Sequence, residues 1–449
     1  MRSDLISSGA LIGMVVLALA SPAGAARPGS TQRVSVGVGD VQADDLSNGG
    51  VISADGSTAA FASYGNKLVP GDVNPHFDVF VRDLRTGTTR LVSATATDGG
   101  AAVPALSADG RFVAYTSRAT TVVPGDTNER WDVFVFDGDT GATQRVSVAS
   151  DGSQAGGGAI GSVVPRISGD GRLVAFQSDS PELVAGDSNG VTDVFVHDRA
   201  TGSTTRVSTA ADGTEGNAVS QQPSLSLDGS TIAFETLASN LVPGDANAGG
   251  DIVVRDLTTG AVSFGALGHD GAQPVAGGSG GTGGPSLNAD GTVLAFSSAS
   301  PVFVPADSNN RGDAFVRDLR TGIVQRVSVT SAGAEVAGVS GVGAISADGR
   351  YVGFQSEATT LVPGDTNNTL DAFVHDRLTA TTERISVDPA GAGGLTIGGG
   401  LPFGSAQVQP AADGRLVAFL SFATNLVDGD TNGQSDIFVR DRGPELGIQ

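Results

Sequence analysis

Residues 361–376 read LVPGDTNNTLDAFVHD, a loop that contains Asp365, Asn367 and Asp371 and runs into an alternating apolar segment. Similar stretches recur along the chain, each of them downstream of an Asp-Gly dipeptide. The aspartates of these dipeptides are Asp55, Asp109, Asp170, Asp228, Asp290, Asp348 and Asp413, separated by 54, 61, 58, 62, 58 and 65 residues. A near-constant period of this size indicates an internal repeat, so the chain consists of seven similar units.

Each unit contains the sequence signals of four short strands. The segments RFVAYTS (111–117) and DVFVRD (78–83) are rich in β-branched and aromatic residues and are bounded by Gly, Asn and Pro, which is typical of strands. The Asp-Gly before the first kind of segment predicts a two-residue hairpin with positive φ at both positions. The Thr-Gly after the second kind predicts a bulged hairpin with its glycine in the left-handed region. We therefore expect an antiparallel meander of four strands, A to D.

The two ends of the chain predict that the units close into a ring. A four-stranded antiparallel unit repeated radially is the blade of a β-propeller, an all-β fold. The seventh unit ends after its third strand, at residues 441–444, whereas residues 31–35 match the fourth strands at residues 88–93 and 204–208. An N-terminal strand that completes the last blade would remove the exposed sheet edges. The sequence thus predicts a seven-bladed propeller over residues 31–442 and a tail at 443–449.

The repeats also resemble those of a known family. SADGRFVAYTS (107–117) followed by DVFVFDGDTGATQRVS (132–147) is similar to the WD-like repeats of TolB-type β-propellers, and the resemblance covers residues 31–442. It implies the fold more strongly than the function, because such propellers serve as binding platforms, as parts of peptidases and as lyases. This chain departs from the many six-bladed relatives in its blade number. Its fourth unit also departs, with Val253 in place of the strand C aromatic residue and AVSFGAL in place of Thr-x-Arg-Val-Ser.

The N-terminus carries the features of an export signal. Arg2, an apolar run over residues 10–20 and the small-residue exit at 23–25 predict a secretory signal peptide over residues 1–25, followed by a linker at 26–30. The alternative is a membrane anchor, but a run of 11 residues is well short of the ~20 needed to span a bilayer. We expect a protein that is secreted or periplasmic, with no membrane attachment after cleavage of the signal.

Composition excludes several classes of function. The chain has no cysteine, which excludes disulfides, thiolate zinc sites and cysteine nucleophiles. Its net charge of -22 argues against binding to nucleic acid or to anionic membranes, both of which favour basic patches.

The acidic loops are candidate cation sites. Strand direction alternates, so all seven loops between strands B and C should lie on one face, and oxygen ligands at loop positions 1, 3 and 7 suit a hard cation such as Ca²⁺. The alternative is that Asp and Asn hydrogen-bond the turn backbone and cap the start of strand C. Fourteen carboxylates on one face would repel each other unless cations or the scattered arginines offset them. The candidate ligands are Asp72, Asn74, Asp78, Asp126, Asn128, Asp132, Asp187, Asn189, Asp193, Asp245, Asn247, Asp251, Asp307, Asn309, Asp313, Asp365, Asn367, Asp371, Asp430, Asn432 and Asp436.

The sequence favours a binding or scaffold module over an enzyme. His197 and His375 occupy a strand C position where other units have arginine, which suggests outward or blade-edge residues, and His76 and His269 lie in loops without partners. Trp131, inside one acidic loop, is either a ligand platform or a local packing residue. The alternative function is an extracellular hydrolase or lyase acting on polysaccharide or peptide, although no room remains for a hydrolase domain.

A partner is expected on the loop-rich face of the propeller. Glycine-rich stretches at residues 152–163, 268–286 and 388–400 lengthen the crossings between units on that face. Because propellers commonly place variable contacts in such loops, we expect an unidentified protein or glycan partner there, and a monomeric chain.

Overall fold

Seven four-stranded antiparallel sheets form the protein. The computed structural model describes residues 29–443, apart from residues 73, 95, 97, 248, 275–281, 306 and 395–404. Within these residues, 28 strands and one 3-10 turn at Pro181–Leu183 are present. The first strand of each blade contacts the first strand of the next, and the first strand of blade 7 contacts that of blade 1, so the sheets close into a ring. The predicted seven-bladed, all-β propeller is confirmed.

Blades 1 to 6 each contain four consecutive strands, whereas blade 7 takes its fourth strand from the N-terminus. Blades 1 to 3 are formed by β2 (Ser47–Ile52), β3 (Thr58–Ser63), β4 (Asp78–Asp83), β5 (Thr88–Leu91); β6 (Ala101–Leu106), β7 (Phe112–Ser117), β8 (Asp132–Asp137), β9 (Thr143–Arg145); and β10 (Ser162–Ile167), β11 (Leu173–Ser178), β12 (Asp193–Asp198), β13 (Ser203–Arg206). Blades 4 to 6 are formed by β14 (Ser220–Leu225), β15 (Thr231–Thr236), β16 (Asp251–Asp256), β17 (Val262–Phe264); β18 (Gly283–Leu287), β19 (Val293–Ser298), β20 (Asp313–Asp318), β21 (Val324–Arg326); and β22 (Ser340–Ile345), β23 (Tyr351–Ser356), β24 (Asp371–Asp376), β25 (Thr381–Arg384). Blade 7 is formed by β26 (Ser405–Pro410), β27 (Leu416–Ser421), β28 (Asp436–Asp441) and β1 (Thr31–Arg33).

The N-terminal strand closes the ring as the sequence predicts. β1 pairs antiparallel with β28, with Thr31 opposite Arg440 and Arg33 opposite Phe438. Backbone hydrogen bonds continue beyond the strand, where Val34 N–H donates to the Ile437 carbonyl at 2.8 Å. The outer edge of β28 is therefore covered by a segment more than 400 positions away in the chain.

The core lies between neighbouring blades. In six blades an aromatic residue of strand B stacks on one of strand C, as Phe61 does on Phe80 at a centroid distance of 5.6 Å. In blade 4, Phe234 instead lies opposite Val253, which confirms the departure seen in the sequence. Each apolar cluster combines residues of two adjacent blades, so the blades stabilise one another laterally.

The first strand of every blade is irregular. Each contains a register shift, and Val103, Val164, Gln222 and Gln407 there adopt positive φ. The neighbouring blade satisfies some of the backbone groups that the bulges release. For example, Gln222 N–H donates to Gln177 Oε1 at 2.8 Å. The first strands of the seven blades together line a central channel.

The turns between strands A and B differ from the prediction. Gly110 has a φ of 70° and its N–H donates to the Ser107 carbonyl at 3.0 Å, but Asp109 is not in the positive-φ region. The Asp109 carboxylate instead accepts hydrogen bonds from Ser107 Oγ and Arg111 N–H. The prediction of positive φ at both positions was wrong, because these side-chain contacts close a turn in which only the glycine is left-handed.

The turns between strands C and D follow the prediction. Gly87 has a φ of 71° and its N–H donates to the Asp83 carbonyl at 2.9 Å. In blade 6 Ala380 takes the same left-handed position with a φ of 56°. Within the part of the chain that the structure describes, no helix is long and apolar enough to span a bilayer. The predicted signal peptide, most of the linker and most of the tail lie outside that part, as do portions of two glycine-rich crossings.

Candidate functional site

The seven acidic loops lie on the same face as the crossings between blades. Each loop joins strand B to strand C, and the crossing that follows strand D contacts it. In blade 2, Gln154 of the crossing donates from Nε2 to Asp126 Oδ1 at 3.1 Å and accepts from Thr127 N–H. In blade 2 the glycine-rich crossing therefore holds the acidic loop, and the rim formed by the seven loops and the crossings is the candidate functional site.

The asparagine of each loop shapes the turn. In all seven loops its Oδ1 accepts from the backbone N–H two residues later, at 2.7–3.1 Å. In six of the described loops its Nδ2 donates to the carboxylate that begins strand C, at 2.6–3.4 Å. These contacts are the local hydrogen bonds that the structural interpretation of the motif predicts. The asparagines concerned are Asn74, Asn128, Asn189, Asn247, Asn309, Asn367 and Asn432.

The second aspartate of each loop is buried at the start of strand C. All seven of these residues are at most 1% exposed. In six blades a serine that follows strand D donates from Oγ to this carboxylate at 2.5–2.6 Å. The buried residues are Asp78, Asp132, Asp193, Asp251, Asp313, Asp371 and Asp436.

An arginine of strand D lies between the two aspartates in five of the described loops. Its Nη1 is 3.0–3.9 Å from both carboxylates, and its side chain is 6–11% exposed. This guanidinium offsets the repulsion of two carboxylates that share a dry site. The five arginines are Arg33, Arg145, Arg206, Arg326 and Arg384.

Sequence reasoning anticipated that scattered arginines could offset the carboxylates, but it did not place these strand D arginines between the paired aspartates, although a signal for that placement exists. Arg206 follows Asp193 by 13 positions, and Arg326 follows Asp313 by the same interval. The arginine lies opposite the central residue of strand C, as Arg206 does opposite Phe195. A constant Asp-to-Arg interval across a hairpin of known register would have placed the two charges together.

Two loops have a third carboxylate. Asp187, Asp193 and Glu215 in blade 3 offer oxygens within 4.8 Å of one another, as do Asp307, Asp313 and Glu335 in blade 5. Such clusters have a spacing that could hold a metal ion, but in each the arginine Nη1 already contacts all three carboxylates. Burial raises the pKa of Asp187 to about 6, against the effect of Arg206. Hydrogen bonds from Ser188 and Arg206 lower that of Glu215 to about 2, against its desolvation.

Blades 1 and 4 lack the arginine. Leu91 lies opposite Phe80, and Phe264 lies opposite Val253, where other blades have the guanidinium. Burial, with the Asp78 charge adding to it, raises the pKa of Asp72 to about 6. Burial, with the Asp245 charge adding to it, raises that of Asp251 to about 6 as well. Among the described residues, no arginine or lysine forms an ion pair with the two aspartates of either loop.

The histidines do not converge on a site. His197 and His375 are each 1% exposed and hydrogen-bond from Nδ1 to the hydroxyls of Thr204 and Thr382. The prediction that they are outward or blade-edge residues was wrong, because they pack inside blades 3 and 6. Burial lowers the pKa of His375 to about 4, so it is neutral at physiological pH. His76 lies in the acidic loop of blade 1, and His269 lies in the crossing that follows strand D of blade 4.

Trp131 joins its loop to the next crossing through the backbone. It is half-buried, its N–H donates to the Ile160 carbonyl at 3.3 Å, and its carbonyl accepts from Ser162 N–H at 2.6 Å. The backbone of Trp131 is therefore fixed where the acidic loop of blade 2 meets the next crossing.

Comparisons with known proteins bear on the fold. No family model and no curated protein matches this chain. Among solved structures, it resembles an oligogalacturonate lyase in complex with manganese, with a TM-score of 0.55, 14% identity and coverage of 94% of this chain and 95% of that chain. The β-propeller domain of the trilobed protease from Pyrococcus furiosus has a TM-score of 0.51 and 11% identity, over 88% of this chain and 95% of that domain. This chain is a β-propeller.

TolB proteins are also among the structures that this propeller resembles, as its repeats predicted. TolB from Acinetobacter baumannii has a TM-score of 0.38 and 19% identity, over 63% of this chain. The propeller spans about half of that TolB chain, at 54% coverage. At these identities the likenesses show the fold alone.

The central channel of the propeller is a second candidate site. A cavity of about 470 Å³ is lined by the first strands of all seven blades, mostly by glycine and small apolar residues. Arg166 on β10 is the one charged residue in this lining among the described residues. Its Nη1 donates to the Pro165 carbonyl at 2.9 Å, and burial lowers its pKa. No ion pair to Arg166 is found in the described part of the chain.

Proposed function

We propose that this protein is an exported, non-enzymatic β-propeller module that binds a ligand bearing an anionic group in its central channel. The observation that carries the proposal is Arg166, a cation without an acidic partner among the described residues, inside a channel that is otherwise uncharged. A guanidinium in such surroundings favours a carboxylate or similar anion, which it can hold by two parallel hydrogen bonds.

The other polar groups of the rim support a binding role over catalysis. The loop asparagines and serines donate to neighbouring aspartates, and most of the arginines of strand D do the same. These groups hold the loops in shape in blade after blade, whereas chemistry needs one constellation. The channel, by contrast, presents a single charged side chain in a mostly apolar lining of described residues.

The channel also explains how a partner at the loop-rich face would reach Arg166. Its lining includes Gly49 and Gln407 near the loop end of the first strands and Ala54 and Ala412 at the opposite turns. A protein or glycan that docks on the loops can therefore insert one anionic group from above. The proposal keeps the expected export, which depends on residues 1–25, and the expected monomer.

The test is a binding screen with a charge-removing variant. Purified protein is titrated with oligosaccharides that contain uronic acid, with their neutral counterparts, and with peptides that have free or amidated C-termini. We expect binding only to members with a carboxylate, and the acidic sugar and peptide arms identify the source of that group. Arg166→Gln should weaken binding by at least about tenfold, because a charge-assisted hydrogen bond contributes roughly 1.5–3 kcal/mol.

Arg320→Gln is the matched control, since Arg320 is an exposed arginine in the turn between strands C and D of blade 5, on the face opposite the acidic loops. It should leave the affinity unchanged. Equal binding by Arg166→Gln, or no preference for acidic ligands, would refute the proposed site. Conversion of any ligand into products by the parent protein would refute the non-enzymatic role.

A further inference from the structure

Blades 1 and 4 differ from the other five in what faces their paired aspartates. In five described loops an arginine Nη1 lies between the two carboxylates, and in blades 1 and 4 the corresponding residues are Leu91 and Phe264. Neither apolar side chain can offset the charges or donate a hydrogen bond. The aspartates are nevertheless present in the same positions, so these two loops lack the positive charge that the arginine supplies in the others.

Blade 4 leaves a buried carboxylate oxygen without any partner. Asp251 is 1% exposed, and its Oδ2 has neither a hydrogen bond nor an ion pair among the described residues. Its other oxygen accepts from Asn247 Nδ2 at 3.0 Å. The serine that donates to this carboxylate in the other blades is replaced by Ala266, so two donors are missing from the same site.

Blade 1 shows the same defect at its other aspartate. Asp72 is 8% exposed, and its Oδ1 has no partner in the described part of the chain. Asp78 retains its donors, with Ser93 Oγ at 2.6 Å and Asn74 Nδ2 at 2.6 Å. Asp44 adds a further negative charge to the surroundings of Asp72. That charge is offset in part by Lys67, whose Nζ is 3.0 Å from Asp44 Oδ2.

The geometry points to a Ca²⁺ ion in each of these two loops, at the place that the arginine guanidinium occupies in the other five. A hard divalent cation binds carboxylate and carbonyl oxygens together with water, which is the donor set of these loops. The carbonyl of the glycine before the first aspartate is such a donor, since in blades 2 and 3 the carbonyls of Gly125 and Gly186 accept from the arginine. In blade 4 the Gly244 carbonyl accepts from Gln273 Nε2 at 2.8 Å and has a second lone pair for the ion. The ion would satisfy Asp251 Oδ2 and Asp72 Oδ1.

The test counts ions and exchanges the two kinds of loop. The mature chain is stripped with EDTA and titrated with Ca²⁺ by calorimetry, and its melting temperature is followed with and without Ca²⁺. We expect two ions per chain and a Ca²⁺-dependent rise in melting temperature of roughly 2 °C or more. Phe264→Arg should remove one ion and Leu91→Arg the other, because each variant recreates the arginine arrangement.

Control variants distinguish these two sites from non-specific binding of Ca²⁺ to the many carboxylates of the protein. Asp365→Asn, in a loop that contains Arg384, should leave both ions bound. Circular dichroism shows whether Phe264→Arg folds. If it does not, the nearly isosteric Asp245→Asn removes one carboxylate ligand instead and should abolish binding of the blade 4 ion. Absence of Ca²⁺ binding, three or more ions per chain, or binding that survives both arginine variants would overturn the inference.

Discussion

Arg326→Leu would remove the charge around which one acidic loop is organised, and would give blade 5 the residue type that blade 1 has naturally. Arg326 Nη1 is 3.6 Å from Asp307 and 3.0 Å from Asp313, and it also contacts Glu335. The Asp313 side chain is 0% exposed, so its charge is offset by the arginine and by hydrogen bonds from the protein rather than by solvent. Removing one partner of a buried ion pair costs about 3–5 kcal/mol, and we expect the free energy of unfolding to fall by that amount at pH 7.5 in EDTA.

The assay is urea unfolding of metal-stripped protein, with Arg85→Leu as the matched control. Arg85 is 75% exposed and lies 3.9 Å from Asp83, and an exposed pair of this kind contributes about 0–1 kcal/mol. The loss in Arg326→Leu should shrink as the pH falls toward about 4, because the unpaired carboxylates can then take up protons. It should also shrink when Asp313→Asn is added, since the asparagine carries no charge.

The reasoning would be refuted by a loss in Arg326→Leu no larger than that in Arg85→Leu. A large loss that neither low pH nor Asp313→Asn relieves would also contradict it, because the damage would then come from lost packing. Addition of Ca²⁺ should restore part of the stability of Arg326→Leu and none of that of Arg85→Leu. This last outcome connects the prediction to the two loops that lack arginine.

Two further predictions follow from the ring and from blade 4. Deletion of residues 29–35 should expose the edge of β28 and produce oligomers or aggregates in size-exclusion chromatography. Deletion of residues 444–449 is the control and should leave the protein monomeric. If the variant without residues 29–35 is also monomeric, β1 does not protect the edge of β28. Burial and the Asp245 charge raise the pKa of Asp251 from 3.8 to about 6, so the stability that its protonated form provides is complete below pH 3.8 and is lost as the pH rises through 6. We therefore compare the free energy of unfolding of Asp251→Asn with that of wild type by urea unfolding in EDTA. The difference should shift in favour of the variant by about 1–2 kcal/mol from pH 4 to pH 7, after allowance for solvent screening. A difference that does not change with pH would contradict this prediction.

The fold was accessible from sequence because its signals are local and repeated. The alternating segments identify the strands, and the match of residues 31–35 to other fourth strands identifies the closure that β1 and β28 make. The Asp-Gly turn was predicted wrongly since a serine two positions earlier, such as Ser107, bonds the aspartate and selects another turn. That serine is visible in the sequence, but its competition with the hairpin signal depends on side-chain geometry.

The site was only partly accessible. The common face of the loops follows from alternating strand direction, and the hydrogen bonds of the asparagines follow from known turn chemistry. The position of the arginine between the two aspartates was missed because it depends on the register between strands C and D, as between Phe195 and Arg206. The burial of His197 and His375 was missed for a related reason, since their contacts with Thr204 and Thr382 also depend on the register between strands C and D.

The two kinds of loop imply different dependence on the surroundings. An arginine is a permanent part of the chain, so the loops that contain Arg145 or Arg384 keep their positive charge whatever the Ca²⁺ concentration. A loop that binds Ca²⁺ has its positive charge only where the ion is abundant. Two carboxylates in a site give weak binding, with a dissociation constant in the range of about 10⁻⁴–10⁻³ M that extracellular modules show. Such sites would be largely filled outside a cell and largely vacant in cytosol. The expected export and the cation sites therefore support one another, and a dissociation constant below about 10⁻⁶ M would contradict this link because it requires more charged ligands than blades 1 and 4 supply.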